Sequence, residues 1–241
     1  MDSDFFKQHI SQQFNAELEG IIKRIMAMGG LVEQQTIDAV EAMVTGNVEK
    51  AETVITSDYK INAMEVALDE TCTQILARRQ PTASDLRLVM AVIKAIADLE
   101  RMGDEAERIG RMALHVLEKD REVAPMEEFK AMGGHVQQMI HNALDSFVRM
   151  DADQAVRAVK MDIQIDSLYE EIIRQLMALM REDPDSIPRV MDLVWATRAL
   201  ERIGDRAGNI CEYVIYFVKG KDVRHTSFEQ MAIEATGDGR E

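Results

Sequence analysis

Two acidic pairs are the residues of this chain best placed for chemistry. Glu100 and Asp104 stand four apart in Glu100-Arg101-Met102-Gly103-Asp104, and Glu201 and Asp205 stand four apart in Glu201-Arg202-Ile203-Gly204-Asp205. On a 3.6-residue helix, side chains at i and i+4 lie one above the other on the same face. Like charges so placed cost a few tenths of a kcal/mol, and the intervening Gly costs up to about 1 kcal/mol more relative to Ala. Carboxylates grouped in this way suit a hard cation such as Mg²⁺, Ca²⁺ or Mn²⁺, or iron. Two carboxylates on one helix supply only part of a coordination shell; Asp58, Glu65, Asp162 and Asp166 are the acids that neighbouring helices could add. The alternative is a solvated helix rim whose acids pair with Arg101, Arg202 or residues of the next helix, an arrangement worth little.

The repetition extends beyond the acidic pairs. Met28-Gly29-Gly30-Leu31-Val32-Glu33-Gln34 matches Met132-Gly133-Gly134-His135-Val136-Gln137-Gln138, and Asp58-Tyr59-Lys60-Ile61-Asn62 matches Asp162-Ile163-Gln164-Ile165-Asp166, both at an offset of 104. At the acidic pairs the offset is 101, so about three residues are missing from the second copy near its second interhelix connection, where loops tolerate it. A period near one hundred residues is too long for a solenoid repeat and describes two copies of one small unit.

Three helical segments per copy account for nearly the whole chain. In the first copy they are expected over Phe5–Thr45, Val48–Arg79 and Ser84–Lys119, broken by Gly46-Asn47 and by Gln80-Pro81-Thr82-Ala83. In the second they are expected over Pro125–Arg149, Ala152–Arg181 and Ile187–Lys219, with Glu182-Asp183-Pro184-Asp185 as the matching break. Gly and Pro punctuate helices in this way, and Leu88, Val92, Ile96, Leu99 and Met102 show the apolar spacing of one. Short connections force antiparallel neighbours. The expected fold is all-α: two pseudo-symmetric three-helix bundles from an internal duplication. The first bundle occupies residues 1–120, the second 121–220, and a polar, flexible tail 221–241. The acidic pairs then fall at the margin of the third helix of each bundle, at a rim rather than in the core.

Composition narrows the function classes. A net charge of −15 repels phosphate backbones and anionic membrane surfaces and suits metal cations or a partner with a basic face; it also serves plain solubility. The chain has no apolar run of eighteen residues and no export signal at Met1-Asp2-Ser3-Asp4-Phe5-Phe6, so a cytoplasmic location is expected. Cys72 and Cys211 occupy non-equivalent positions and read as buried thiols. The 17 methionines read either as core filler or as an adaptable apolar surface for more than one partner.

A larger likeness now emerges. Ala97-Asp98-Leu99-Glu100-Arg101-Met102-Gly103-Asp104 and Ala199-Leu200-Glu201-Arg202-Ile203-Gly204-Asp205, each late in a three-helix repeat, resemble the signature of the PhoU family of phosphate transport regulators. The Met-Gly-Gly segments, Arg79-Gln80-Pro81-Thr82-Ala83-Ser84-Asp85-Leu86-Arg87 and Val218-Lys219-Gly220 agree, so the likeness spans about residues 9 to 226. The resemblance implies a cytoplasmic, non-enzymatic negative regulator of phosphate uptake and of the phosphate-starvation response. Its partners would be the ATPase subunit of a phosphate ABC transporter and a sensor histidine kinase, reached as a homodimer that meets the membrane only through them. It implies bound iron, zinc, manganese or magnesium with Glu100, Asp104, Glu201 and Asp205 as ligands. The family motif often adds a polar residue four positions on; here that is Asn209 in the second copy but Arg108 in the first, whose charge disfavours metal there.

Enzyme chemistry finds little footing. A di-metal carboxylate oxidase needs Glu-x-x-His pairs on facing helices, and the sequence has none. His135 and His141 are six apart, about 120° around a helix, and the sequence contains no His-Glu-x-x-His and no nucleotide-binding P-loop. Gly29-Gly30 and Gly133-Gly134 sit within helices, where they suit close helix packing rather than a phosphate cradle. Beside the metal-binding regulator stands a helical adaptor that needs no metal, its acidic motifs serving helix contacts or a basic partner surface; a carboxylate-bridged metal enzyme is the remaining class.

Overall fold

The structure, a computed structural model, describes residues 12–117 and 125–236. Its helices are α1 (Gln12–Thr45), α2 (Val48–Ser57), α3 (Tyr59–Arg79), α4 (Ala83–Leu117), α5 (Met126–Arg149), α6 (Ala152–Val159), α7 (Asp162–Glu182), α8 (Ile187–Lys219) and α9 (Phe228–Thr236). The expected helix over Phe5–Ser11 and the end of the third segment at Glu118-Lys119 lie outside the described residues.

Local chemistry sets the same punctuation in both copies. Gly46 and Met150, 104 residues apart, take left-handed backbone angles (φ 69° and 56°) at the ends of α1 and α5, the geometry that closes a helix C-terminus. Asn47 and Asp151 follow and cap α2 and α6, their side-chain oxygens accepting from the backbone N–H of Lys50 and Gln154 at 3.0 and 2.8 Å. The connection Gln80–Thr82 of the first copy is replaced in the second by Asp183 and a 3₁₀ turn (Pro184–Ser186); the three missing residues come from the start of the third helix, since α4 begins 17 residues before Glu100 and α8 begins 14 before Glu201.

One expectation is corrected in both copies. The second helical segment is not continuous: it breaks at Asp58 in the first copy and at Lys160-Met161 in the second. Asp58 ends α2 and begins α3, its carbonyl accepting from the N–H groups of Ile61 and Asn62 at 2.9 and 3.3 Å. The break points an aspartate toward the third helix.

α1, α4, α8 and α5 pack as a central four-helix ring, with α2–α3 and α6–α7 covering its two flanks. The pairing across the ring is antiparallel and pseudo-symmetric. A side-chain carbon on Gly29 would meet Leu144, and one on Gly133 would meet Val40, each at 2.6 Å, and these four residues are two equivalent pairs. The first glycine of each Met-Gly-Gly segment therefore serves close approach of α1 and α5, as the sequence suggested. The second, Gly30 or Gly134, faces open space. All buried apolar side chains form one continuous core, so the two bundles share their interior. Arg79 forks onto Glu17 at 2.6 and 2.8 Å, tying the end of α3 to the start of α1.

The tail is a second correction. Residues 228–236 form α9, which packs on α6 with Met231 and Ala235 buried, while Val223 is buried ahead of it. Met231 and Ala235, four apart on α9, together with Val223 ahead of the helix, anchor a segment that its composition marked as polar and flexible. Cys72 and Cys211 are free and buried. Of the described methionines six are buried, nine are partly buried and Met177 is exposed, so they occupy both the core and its margin. Among the described residues no helix is long and apolar enough to cross a membrane.

Candidate functional site: two carboxylate faces

The acidic pairs sit on α4 and α8 on the flanks where the broken second helices cross them. Glu100 and Glu201 are half-buried, Asp104 and Asp205 are exposed, which places them at a rim. Gly103 and Gly204 explain the glycine between each pair. A carbon added to Gly103 would lie 3.0 Å from Asp58 Oδ1 and 3.1 Å from Ile61; one added to Gly204 would lie 3.1 Å from Ile165, with Asp162 Oδ1 at 3.7 Å. Removal of the side chain on the third helix lets the break of the second helix, with its aspartate, come close.

Each rim thereby gathers four acids, and the four candidates that the sequence left unplaced all belong. Burial and then the charges of Asp104, Glu65 and Asp58 push the Glu100 carboxyl upward. Asp104 is exposed as a residue, but its carboxyl is partly shielded from water by its neighbours, and this together with the Asp58 charge raises it as well. On the second face burial raises Asp162 from 3.8 to about 6, with the charges of Asp166, Asp205 and Glu201 adding to it. Glu201 and Asp205 are also raised, chiefly by burial and then by Asp205 and Asp166 respectively. Oε2 of Glu201 is buried without a hydrogen-bond partner. These are the marks of carboxylates held together against their mutual repulsion, and the donor set is all oxygen, as hard cations require. Among the described residues, however, no three carboxylate, histidine or cysteine groups converge on one metal-sized point. The residues fit a cation in chemistry and in charge; the side chains are not drawn onto a common centre.

Arg108 is shared: its charge acts on Asp104, opposing the burial that raises that carboxyl. Its guanidinium bonds Glu105 at 3.0 Å. Asn209, its counterpart, has its amide nitrogen 3.5 Å from Asp98 Oδ1 and lines an open cleft of about 430 Å³ with Asp162, Asp205, Arg202 and Arg206.

Sequence reasoning missed the polar seam between α4 and α8. Asp98, buried, accepts from Arg206 at 3.1 Å and from the Tyr213 hydroxyl at 2.8 Å. Glu105, also buried, pairs with Arg202 at 2.8 Å. A signal existed: Ala91, Ala95, Asp98, Met102, Glu105 and Ile109 run at three- and four-residue spacing, so two acids interrupt an apolar stripe. Arg202 and Arg206 bracket Asp205, so the second face is joined directly to the contact between repeats.

Two rims, each built on an acidic pair around a glycine and each facing an aspartate at a helix break, can be set beside known proteins. The PhoU domain matches residues 25–113 and again 129–214. The chain belongs to the PhoU family. It is 51% identical over 225 residues to the phosphate-specific transport system accessory protein PhoU of Serratia marcescens, covering 93% of this chain and 92% of the relative. It is 49% identical to the protein of that name from Escherichia coli (strain K12), covering 96% and 95%. The crystal structure of PhoU from Pseudomonas aeruginosa superposes with a TM-score of 0.84 at 47% identity, over 86% of this chain and all of that one. The phosphate transport system regulatory protein PhoU from Streptococcus pneumoniae gives 0.82 at 31% identity, over 87% and 99%. The two matched PhoU domains, 25–113 and 129–214, coincide with the two copies of the duplication.

Proposed function

We propose that this chain is a cytoplasmic, non-enzymatic regulator that restrains phosphate uptake and the phosphate-starvation response through contact with the ATPase subunit of a phosphate ABC transporter and with a sensor histidine kinase. It acts as a homodimer whose two acidic faces bind a hard cation. Family membership and the names of its relatives support the transport role. The observation that carries the mechanism is that each acidic face spans two helices, so its charge state bears on how the outer helix sits against the central ring.

Asp58, Glu65, Glu100 and Asp104 would hold a cation on the first face, and Asp162, Asp166, Glu201 and Asp205 on the second. The bound ion would add positive charge to that of the arginines already beside each rim, Arg101 and Arg108 on the first and Arg198, Arg202 and Arg206 on the second. The residues do the rest: Gly103 and Gly204 admit the broken helix, and the carboxylates, pushed upward by burial and by one another, lose their repulsion when neutralised. The flank formed by α2–α3 or α6–α7 is then held to the ring in one position for a partner to read.

A second reading is a metal-independent adaptor, favoured by the absence of three converging ligands among the described residues. Elemental analysis of tag-free protein, wild type beside Asp104→Ala/Asp205→Ala, separates the two when paired with co-purification of the ATPase subunit and the kinase. Stoichiometric metal lost in the variant, with partner binding that falls on chelation, supports the cation-bound regulator. Metal-free wild type that keeps both partners leaves the adaptor.

A further inference from the structure

The outer face of α3 is apolar where its duplicate is not. The inner side of this helix buries Ile61, Leu68, Cys72 and Ile75. Tyr59, Ala63, Val66 and Ala67 project from the opposite side, within about 100° of arc. All four are exposed, Val66 by 67% and Tyr59 by 65%. At the equivalent positions α7 carries Ile163, Ser167, Glu170 and Glu171. A single exposed apolar side chain needs no explanation, but a run of them along one helix marks an interaction surface. Only the first copy has one on this face.

Charge and spacing select the occupant. Lys60 and Glu70, both exposed, stand three residues outside Ala63 and Ala67. The series Lys60, Ala63, Ala67, Glu70 is therefore symmetric in spacing about residue 65 and opposite in charge at its two ends. Lay two copies of this helix antiparallel across a two-fold axis, and Ala63 of each protomer faces Ala67 of the other. Lys60 then faces Glu70, and does so twice, because a two-fold contact is made by the same patch on both sides. Val66 lies beside the axis, where it meets Val66 of the other protomer. The alanines let the two backbones come close. Parallel pairing would instead set Lys60 against Lys60 and Glu70 against Glu70.

The same operation on α7 fails. Glu170 takes the place of Val66, so two carboxylates would meet beside the axis. A chain of net charge −15 repels its own kind over most of its surface. The outer face of α3 joins apolar area to charges that complement themselves.

We propose that the outer face of α3 joins two copies of this chain in an antiparallel, two-fold contact. The proposal rests on the reading that the protein is a homodimer and adds which surface makes the dimer. One 21-residue helix per protomer, about 31 Å long, supplies the contact. Such an interface is small, so the dimer should dissociate reversibly in roughly the micromolar range. The α6–α7 flank, on the other side of the ring, stays open to a different partner.

The test is sedimentation equilibrium on the full-length chain. Wild type should dimerise. Val66→Glu, which installs the residue of the second copy beside the axis, should raise the dissociation constant roughly a hundredfold or more. Lys60→Glu and Glu70→Lys should each raise it about tenfold. The double variant Lys60→Glu/Glu70→Lys restores opposite charges across the axis and should recover most of the loss. Glu170→Ala, on the other flank, should leave the constant unchanged. These side chains are exposed, so circular dichroism and melting of the monomeric variants should match dilute wild type. A wild-type dimer whose constant is unmoved by Val66→Glu overturns this inference alone, because the protomers then meet elsewhere. Single charge reversals that the double reversal fails to rescue overturn the antiparallel pairing. Wild type that stays monomeric at every concentration overturns the homodimer reading with it.

Discussion

Replacement of the paired glycines by alanine tests whether α1 and α5 meet as described. In a helix interior Ala is favoured over Gly by about 0.8–1 kcal/mol. At Gly30 and Gly134 an added methyl meets nothing within 4 Å, so each substitution should deliver most of that gain. At Gly133 the methyl would stand 2.6 and 3.0 Å from the two Cγ atoms of Val40 and 3.3 Å from its Cβ. A valine in a helix has essentially one χ1 rotamer, so it cannot swing aside. Overpacking costs about 1–3 kcal/mol; with Val40 unable to turn the cost falls at about 2–3 kcal/mol, and less the helix gain Gly133→Ala should be net destabilising by about 1–2 kcal/mol. At Gly29 the obstacle is the two Cδ atoms of Leu144 at 2.6 and 2.8 Å, the end of a longer side chain that can turn, so Gly29→Ala should fall near neutral to about 1 kcal/mol destabilising. One kcal/mol shifts Tm by about 2–4 °C in a chain of this size. Calorimetric melts should then rank Gly30→Ala and Gly134→Ala above wild type, Gly29→Ala at or below it and Gly133→Ala lowest. A Gly133→Ala variant as stable as Gly134→Ala would refute the packing of α5 on α1.

Asp162→Asn should stabilise chelated protein at pH 7.5. The native carboxyl lies at about 6 against 3.8 ordinarily, so the folded state binds this proton more tightly. Stability is lost as pH rises from about 4 through 6, at most about 3 kcal/mol and about 1–2 kcal/mol once solvent screening is allowed for. Melts in chelator should show the variant's advantage fading toward pH 4, and added Mn²⁺ should stabilise wild type more than the variant; a variant less stable than wild type at pH 7.5 in chelator would contradict the crowding of the second face. Asp98→Ala leaves Arg206 and the Tyr213 hydroxyl without their shared acceptor and should cost about 3 kcal/mol in urea unfolding, where a loss under 1 kcal/mol would deny the α4–α8 seam its buried ion pair. Burial raises the Cys72 thiol to about 12 and lifts Cys211 further, so neither should react with a thiol reagent at pH 8 until the protein unfolds.

The family, the fold class and the residues of the two acidic pairs were legible in the sequence, because duplication prints each of them twice. Helix ends were equally plain where they depend on a single residue, as at Gly46-Asn47 and Pro81. The break of the second helix was not. Asp58 has ordinary right-handed helical angles (φ −58°, ψ −33°) and no Gly or Pro beside it, so nothing local marks the joint. The tail helix was hidden for a related reason: Met231 and Ala235 become a buried face only once α6 is there for the helix to pack on. Asp98, Glu105 and Gln35 could each be noticed as polar residues at core spacing, yet the partners that join them to other helices lie 19 to 115 residues away in the chain. Local spacing fixes which face of a helix a side chain occupies; which helix then lies against that face is a property of the packed chain. The sequence alone therefore determined the two acidic pairs, and the tertiary structure decided that Asp58 and Asp162 join them and that Arg108 bonds Glu105 while its charge still acts on Asp104.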